Sequence, residues 1–220
     1  MTTVFLHGLG QTPESWQPVL SQLPPEGDYR CPSLPELLAG KPVCYQNLYT
    51  ALEAYCGEID GKFCLCGLSL GAELALDYAI HHSQRLHGVV LIACQYKMPK
   101  LLLAVQNVMF RFMPEENFQG LGFGKQDFAR LCSTTGKQDF SKALDNIRCP
   151  SLILCGQADS ANKKATLGLS RKLPGSNLAL VPGSGHEVNK DAPEKLSQLL
   201  QDFWNKTESA QDQVSAIKGR

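Results

Sequence analysis

Short apolar runs rich in β-forming residues alternate with helical patterns along most of this chain, and that alternation restricts its fold more than any other feature. The predicted strands are Thr3 to Leu6, Asp28 to Cys31, Phe63 to Cys66, Gly88 to Ile92, Ser151 to Cys155 and Asn177 to Val181. The spacing predicts helices over Ser15 to Ser21, Val43 to Cys56, Gly71 to His81, Asn162 to Arg171 and Pro193 to Trp204. Strands that alternate with helices indicate an α/β chain with a mostly parallel sheet of about six strands, covered by helices on both faces. Val89-Val90-Leu91-Ile92 and Leu152-Ile153-Leu154 are apolar at every position, as strands buried on both faces must be.

The alternation breaks between Ala93 and Ile147, too long a stretch for an ordinary connection in a compact domain. We therefore expect an insertion over residues 96–146, between the fourth and fifth predicted strands. Within it Leu101, Val105, Val108 and Phe112 recur at helical spacing, with Lys100, Asn107 and Arg111 on the other face. Such a helix either packs on the core or overhangs a substrate pocket as a lid, and the spacing alone does not choose. A chain of 220 residues, 43% of them hydrophobic, suits one well-buried domain, here 1–206. The apolar spacing fades after Asn205, so residues 207–220 are expected to form a polar tail, disordered or a frayed helix.

Lys plus Arg and Asp plus Glu both number 21, which leaves no basic surplus for a nucleic-acid backbone or an anionic membrane. A small, neutral substrate fits better, and nothing in the sequence signals an oligomeric state. The N-terminus, Met-Thr-Thr-Val-Phe-Leu-His-Gly, lacks the basic and apolar regions of a signal peptide. The most apolar window, Leu101 to Met113, is too short and too polar for stable membrane insertion. Nine cysteines without a C-x-x-C spacing suit a reducing compartment and argue against a zinc site. A cytoplasmic protein that needs no metal or organic cofactor is expected.

The chemistry centres on Gly67-Leu68-Ser69-Leu70-Gly71, which lies between the strand ending at Cys66 and the helix-like run Ala72 to Ala79. Strand, G-x-S-x-G and helix together describe a nucleophile elbow, a tight turn that presents a serine hydroxyl at the edge of a sheet. The flanking glycines suit a crowded turn, and the helix N-terminus favours a developing negative charge. In folds with such an elbow the acid and then the histidine follow the serine along the chain. Asp159 fits the acid, since it follows the fifth predicted strand by the short turn Gly156-Gln157-Ala158; its competing role is a helix N-cap. Asp127, Asp139 and Asp145 also lie in the interval but follow no strand. His186, in the glycine-rich loop after the last strand, can reach over the carboxyl edge of the sheet. His81, His82 and His87 belong to a helix end and the connection after it, where a solvated surface is expected. The oxyanion would be held by the backbone N–H groups of Leu70, just after the serine, and of Leu9, just after His7-Gly8. His7 is a rival base, but its place before a glycine turn favours a structural hydrogen bond.

These motifs, His7-Gly8 with Trp16, the elbow around Ser69, Cys155-Gly156-Gln157-Ala158-Asp159 and Gly183-Ser184-Gly185-His186, together resemble the α/β-hydrolase superfamily over about residues 2 to 204. The form is similar to small bacterial carboxylesterases or lipases with a short lid. The resemblance implies an α/β-hydrolase fold with a Ser69, Asp159 and His186 triad that cleaves a carboxylic ester or thioester through an acyl-enzyme. Two departures stand out. The two antiparallel strands that usually open that fold have almost no sequence to form them, and Ala72 stands where many relatives carry glycine. The same triad serves lyases and carbon–carbon hydrolases, for which Arg111 and Arg130 could grip a substrate carboxylate. A ligand receptor with little turnover is a rival from a different class.

Overall fold

The computed structural model describes residues 1–98, 108–110 and 112–218, with side chains as far as residue 208. Six strands form one sheet: β1 (Thr2–Leu6), β2 (Asp28–Arg30), β3 (Phe63–Leu68), β4 (Leu86–Ile92), β5 (Ser151–Gly156) and β6 (Asn177–Val181). Their order is β2-β1-β3-β4-β5-β6 and every neighbouring pair is parallel. Among the described residues the five longest helices are α1 (Tyr45–Gly57), α2 (Leu70–His82), α3 (Lys125–Thr135), α4 (Lys163–Lys172) and α5 (Pro193–Lys218).

Alternation along each strand explains why the central strands are apolar throughout. Val4, Leu6, Phe63, Leu65, Val89, Leu91 and Ile153 point to one face, where α1 and α2 cover them. Phe5, Cys64, Cys66, Leu68, Val90, Ile92, Leu152 and Leu154 point to the other, against Trp16, Val19 and the Leu196, Leu200 and Phe203 face of α5. The two cores thus share the same strands, residue by residue. The cysteines of β3 and β5 serve as small hydrophobes in these layers, and all nine cysteines are unpaired.

The strand order places the site. From β1 the chain moves out to β2 and then crosses back to β3 on the other side of β1, so the order reverses between β1 and β3. At such a switch point the loops leaving adjacent strand ends diverge and open a crevice. Leu6, the last residue of β1, pairs with Gly67, two residues before Ser69. β3 runs to Leu68, beyond the predicted end at Cys66, because Gly67 and Leu68 still pair with Leu91 and Ile92. The sheet therefore carries the elbow to its very edge.

The insertion after β4 is closed at its base by an isolated bridge between Lys97 and Asp139, whose side chains also form an ion pair at 3.3 Å. Inside it, Phe110, Phe118 and Phe128 meet edge to face with ring centroids 4.9–6.2 Å apart. Leu101 and Val105 of the predicted apolar stripe, and Lys100, Asn107 and Arg111 opposite, lie outside the described residues. Val108 and Phe112 of that stripe are exposed, whereas Phe110 and Met113 turn inward. The aromatic cluster, which spacing along one helix does not reveal, determines that choice. At the other end of the chain the backbone of α5 continues to Lys218, through the stretch read from sequence as a polar tail.

Candidate active site

Ser69 follows β3 directly and precedes α2, with φ 54° and ψ −116°, a backbone conformation that a residue with a side chain adopts only when its surroundings impose it. The surroundings are visible. A Cβ on Gly67 would run into the Gly71 carbonyl, and one on Gly71 would run into the carbonyls of Leu6 and His7. Only glycine at both positions lets the turn close this tightly on β1. The Ser69 amide donates to the Ile92 carbonyl at 2.9 Å, which pins the turn to the end of β4. As the first residue of α2, Leu70 has a backbone N–H with no acceptor inside the helix. Among the described residues neither that group nor the Leu9 N–H has a hydrogen-bond partner.

Asp159 and His186 come from loops after β5 and β6, stitched together by Gln157 N–H to the Val181 carbonyl at 2.8 Å and Ala158 N–H to the Ser184 carbonyl at 3.0 Å. His186 Nδ1 lies 2.9 Å from Asp159 Oδ2. Asn162 also serves this carboxylate, donating from its backbone at 3.1 Å and from Nδ2 at 3.0 and 2.9 Å. Burial opposes ionisation of Asp159, but the hydrogen bonds from His186 and Asn162 outweigh it and hold the carboxyl below its ordinary range. With Nδ1–H donated to Asp159, Nε2 of His186 is the ring nitrogen left to accept a proton. Asn162 Nδ2 is 3.1 Å from Nδ1, a contact between two donors that converge on one acid. Asp159 thus combines the two roles that competed for it in the sequence, ordering the start of α4 and holding the histidine.

Ser69, Leu9, Leu70, Asp159 and His186 all border one cavity of about 460 Å³, whose other walls are mostly apolar and include Phe110, Met113, Phe118 and Leu131. The Ser69 hydroxyl makes no hydrogen bond among the described residues. His7 is enclosed by the fold: its Nδ1 is 2.9 Å from the Gly8 carbonyl and its Nε2 accepts from Leu34 N–H at 3.1 Å. With both nitrogens committed and burial lowering its pKa, it is a neutral brace between β1 and the turn at Leu34–Leu37. The remaining candidates also have other positions. Asp127 accepts from Gly124 N–H at the start of α3, Asp139 pairs with Lys97, and His82 meets Glu53 at 2.7 Å. Arg130 is exposed and away from the cavity, and Arg111 lies outside the described residues. Among the described residues no group of acidic, histidine and cysteine side chains is arranged to hold a metal, and no helix is long and apolar enough to cross a membrane.

The model of the Alpha/beta hydrolase family matches residues 3–199. The chain belongs to that family. Among curated proteins, this alpha/beta hydrolase is 26% identical to the pimeloyl-[acyl-carrier protein] methyl ester esterase of Aromatoleum aromaticum, over 90% of this chain and 96% of that one. Among solved structures, a thermophilic esterase from Thermogutta terrifontis superimposes with a TM-score of 0.75 at 20% identity, over 94% of this chain and 90% of the other. MenH from S. aureus does so with a TM-score of 0.80 at 16% identity, over 94% of each chain. At those identities the superpositions establish the fold.

Sequence reasoning missed the polar groups that hold this alpha/beta hydrolase's site in place. Gln95, after β4, donates to Asn162 Oδ1 at 2.8 Å and so fixes the amide that serves Asp159. Gln11, on the loop after β1, donates to Glu187 at 2.7 Å and to Asn189 at 3.2 Å, while Asn189 reaches the Ser15 carbonyl at 3.0 Å. This ties the Leu9 loop to the His186 loop from beneath. Glutamine and asparagine carry no distinctive spacing, so only the signal of Gln11 beside the His7-Gly8 turn could have been noticed.

Proposed function

We propose that the protein is a serine hydrolase that cleaves a carboxylic ester or thioester of a small, largely apolar substrate through an acyl-enzyme. The observation that carries this reading is the backbone of Ser69, held at φ 54° on the edge of the same apolar cavity as an Asp159–His186 pair. Oγ of Ser69 attacks the substrate carbonyl while Nε2 of His186 removes its proton, and Asp159 holds the imidazole tautomer and steadies the imidazolium. The N–H groups of Leu9 and Leu70 receive the oxyanion; each such donor is worth about 3 kcal/mol of transition-state stabilisation. His186 then returns the proton to the leaving group, and in the second half-reaction it activates the water that frees Ser69.

Two further points support the assignment. Cys132, the thiol on the cavity wall, is pushed up to about 11 by burial and stays protonated, so it does not compete as nucleophile. A curated relative of nearly the same length is a methyl ester esterase, an activity that this chain's cavity and Ser69 elbow suit. The test is hydrolysis of p-nitrophenyl esters of graded acyl length beside matching thioesters, with the wild type and Ser69→Ala. Turnover of at least one series is expected in the wild type, with a fall of about 10⁶-fold on removing the nucleophile. Equal turnover in both proteins would refute the reading.

A further inference from the structure

The cavity wall holds one acidic side chain that the proposed hydrolysis leaves unused. Glu73 lies one helical turn beyond Ser69 on α2, and its N–H donates to the Ser69 carbonyl at 3.0 Å. It is only 7% exposed and borders the cavity. Among the described residues its carboxyl has no hydrogen bond and no ion pair. Asp77, one turn further along the same helix, shows how this fold treats an acid with a structural role: it accepts from Tyr45 Oη at 3.1 Å and faces His81 at 3.2 Å. Glu73 has no counterpart to either partner.

A buried polar group without a partner is costly, and a polar group on a cavity wall can find that partner in a ligand. Thr135 borders the same cavity, and its hydroxyl is also buried without a hydrogen bond. The chemistry of the missing partner follows from the neighbouring charges. No lysine or arginine is among the described wall residues, so a carboxylate-ended substrate would meet no fixed cation among them. Burial alone pushes the Glu73 carboxyl up to about 8, so near neutral pH it carries its proton and offers one donor and one acceptor. An ammonium group would have to leave water for an apolar wall and a neutral acid. A hydroxyl or carboxamide gives up less hydration and matches both functions of the protonated carboxyl.

We propose that Glu73 is a specificity-determining residue that binds an uncharged hydrogen-bonding group, a hydroxyl or a carboxamide, on the acyl portion of the substrate. Glu73 follows Ser69 by four residues and both border the same cavity, so one acyl chain attached at Ser69 can run along the wall that carries Glu73. The proposal rests on the serine hydrolase reading, because it takes the acyl group to lie along this wall.

The test uses binding rather than turnover, so that the two readings fail separately. Stable N-methylamides of hexanoic, 5-hydroxypentanoic, 5-aminopentanoic and glutaric acids are titrated by NMR into the full chain carrying Ser69→Ala, alone and combined with Glu73→Gln or Glu73→Leu. The hydroxyl-ended amide is expected to bind about tenfold more tightly than the methyl-ended one, with Glu73→Gln keeping most of that ratio and Glu73→Leu abolishing it. Equal or tighter binding of the methyl-ended amide overturns the proposal, as does tightest binding of the ammonium- or carboxylate-ended amide. If Glu73→Leu does not fold, the ligand series and Glu73→Gln still decide. The hydrolase reading fails independently, by the absence of a covalent fluorophosphonate adduct at Ser69 in the wild type.

Discussion

Asp159 remains an anion in a nearly closed position because Asn162 and His186 give it four hydrogen bonds between them. If the proposed mechanism holds, Asp159→Asn leaves the fold intact, by circular dichroism and melting temperature, but lowers kcat by about 10⁴-fold because the imidazole loses its tautomer. Asn162→Ala removes only the supporting donors, and a charge-assisted hydrogen bond is worth about 1.5–3 kcal/mol. We expect kcat to fall by about 10- to 100-fold at unchanged KM, measured on the same ester. Glu73 makes a prediction about stability instead. It ionises near 4.5 when unfolded but only at about 8 when folded, so the folded chain holds the extra proton between those values. Stability therefore declines as pH rises through that window, by on the order of a few kcal/mol. Glu73→Gln removes that loss, and its melting temperature should exceed that of the wild type by more at pH 8.5 than at pH 4.5. Ser69, Asp159 and His186, which border one cavity, were legible as candidates from chain order. Gln11, Gln95, Asn162 and Glu73 were not, because their importance lies in which neutral or buried partner they meet across the sheet.

At the scale of elements, the elbow depends on how closely α2 approaches β1. A methyl group at Gly71 would occupy the space of the Leu6 and His7 carbonyls, and backbone cannot yield as a side-chain tip can. Gly71→Ala is expected to destabilise the chain by about 3 kcal/mol or more, read by urea denaturation, whereas Gly57, the last residue of α1 with open space where a Cβ would stand, should tolerate alanine. The predicted strands all form, with ends shifted by two residues or fewer; burial on both faces gives β3, β4 and β5 an unambiguous apolar signature, whereas the edge strands β2 and β6 are largely exposed. The insertion was harder to read. Phe110, Phe118 and Phe128 come from three separate short segments, and their edge-to-face packing, rather than any single periodic stripe, turns Phe110 and Met113 inward and leaves Val108 and Phe112 exposed.

For the molecule as a whole, the switch in strand order between β1 and β3 explains why residues as far apart in sequence as Leu9, Ser69, Asp159 and His186 border one cavity: each follows the carboxyl end of a strand on the same edge. That convergence could be anticipated from the sequence because a parallel sheet places all its strand ends together. The depth and lining of the cavity could not, since they depend on side chains from the insertion. The two cores share β1, β3, β4 and β5 residue by residue, so neither can melt alone. A single calorimetric transition with equal calorimetric and van't Hoff enthalpies is expected. The central claim concerns one hydroxyl. Incubation of the wild type and of Ser69→Ala with a fluorophosphonate probe, followed by peptide mass spectrometry, tests it most directly. The account expects one adduct per chain, located on Ser69 and absent from the variant; an unlabelled wild type, or an adduct that survives the substitution, would contradict it.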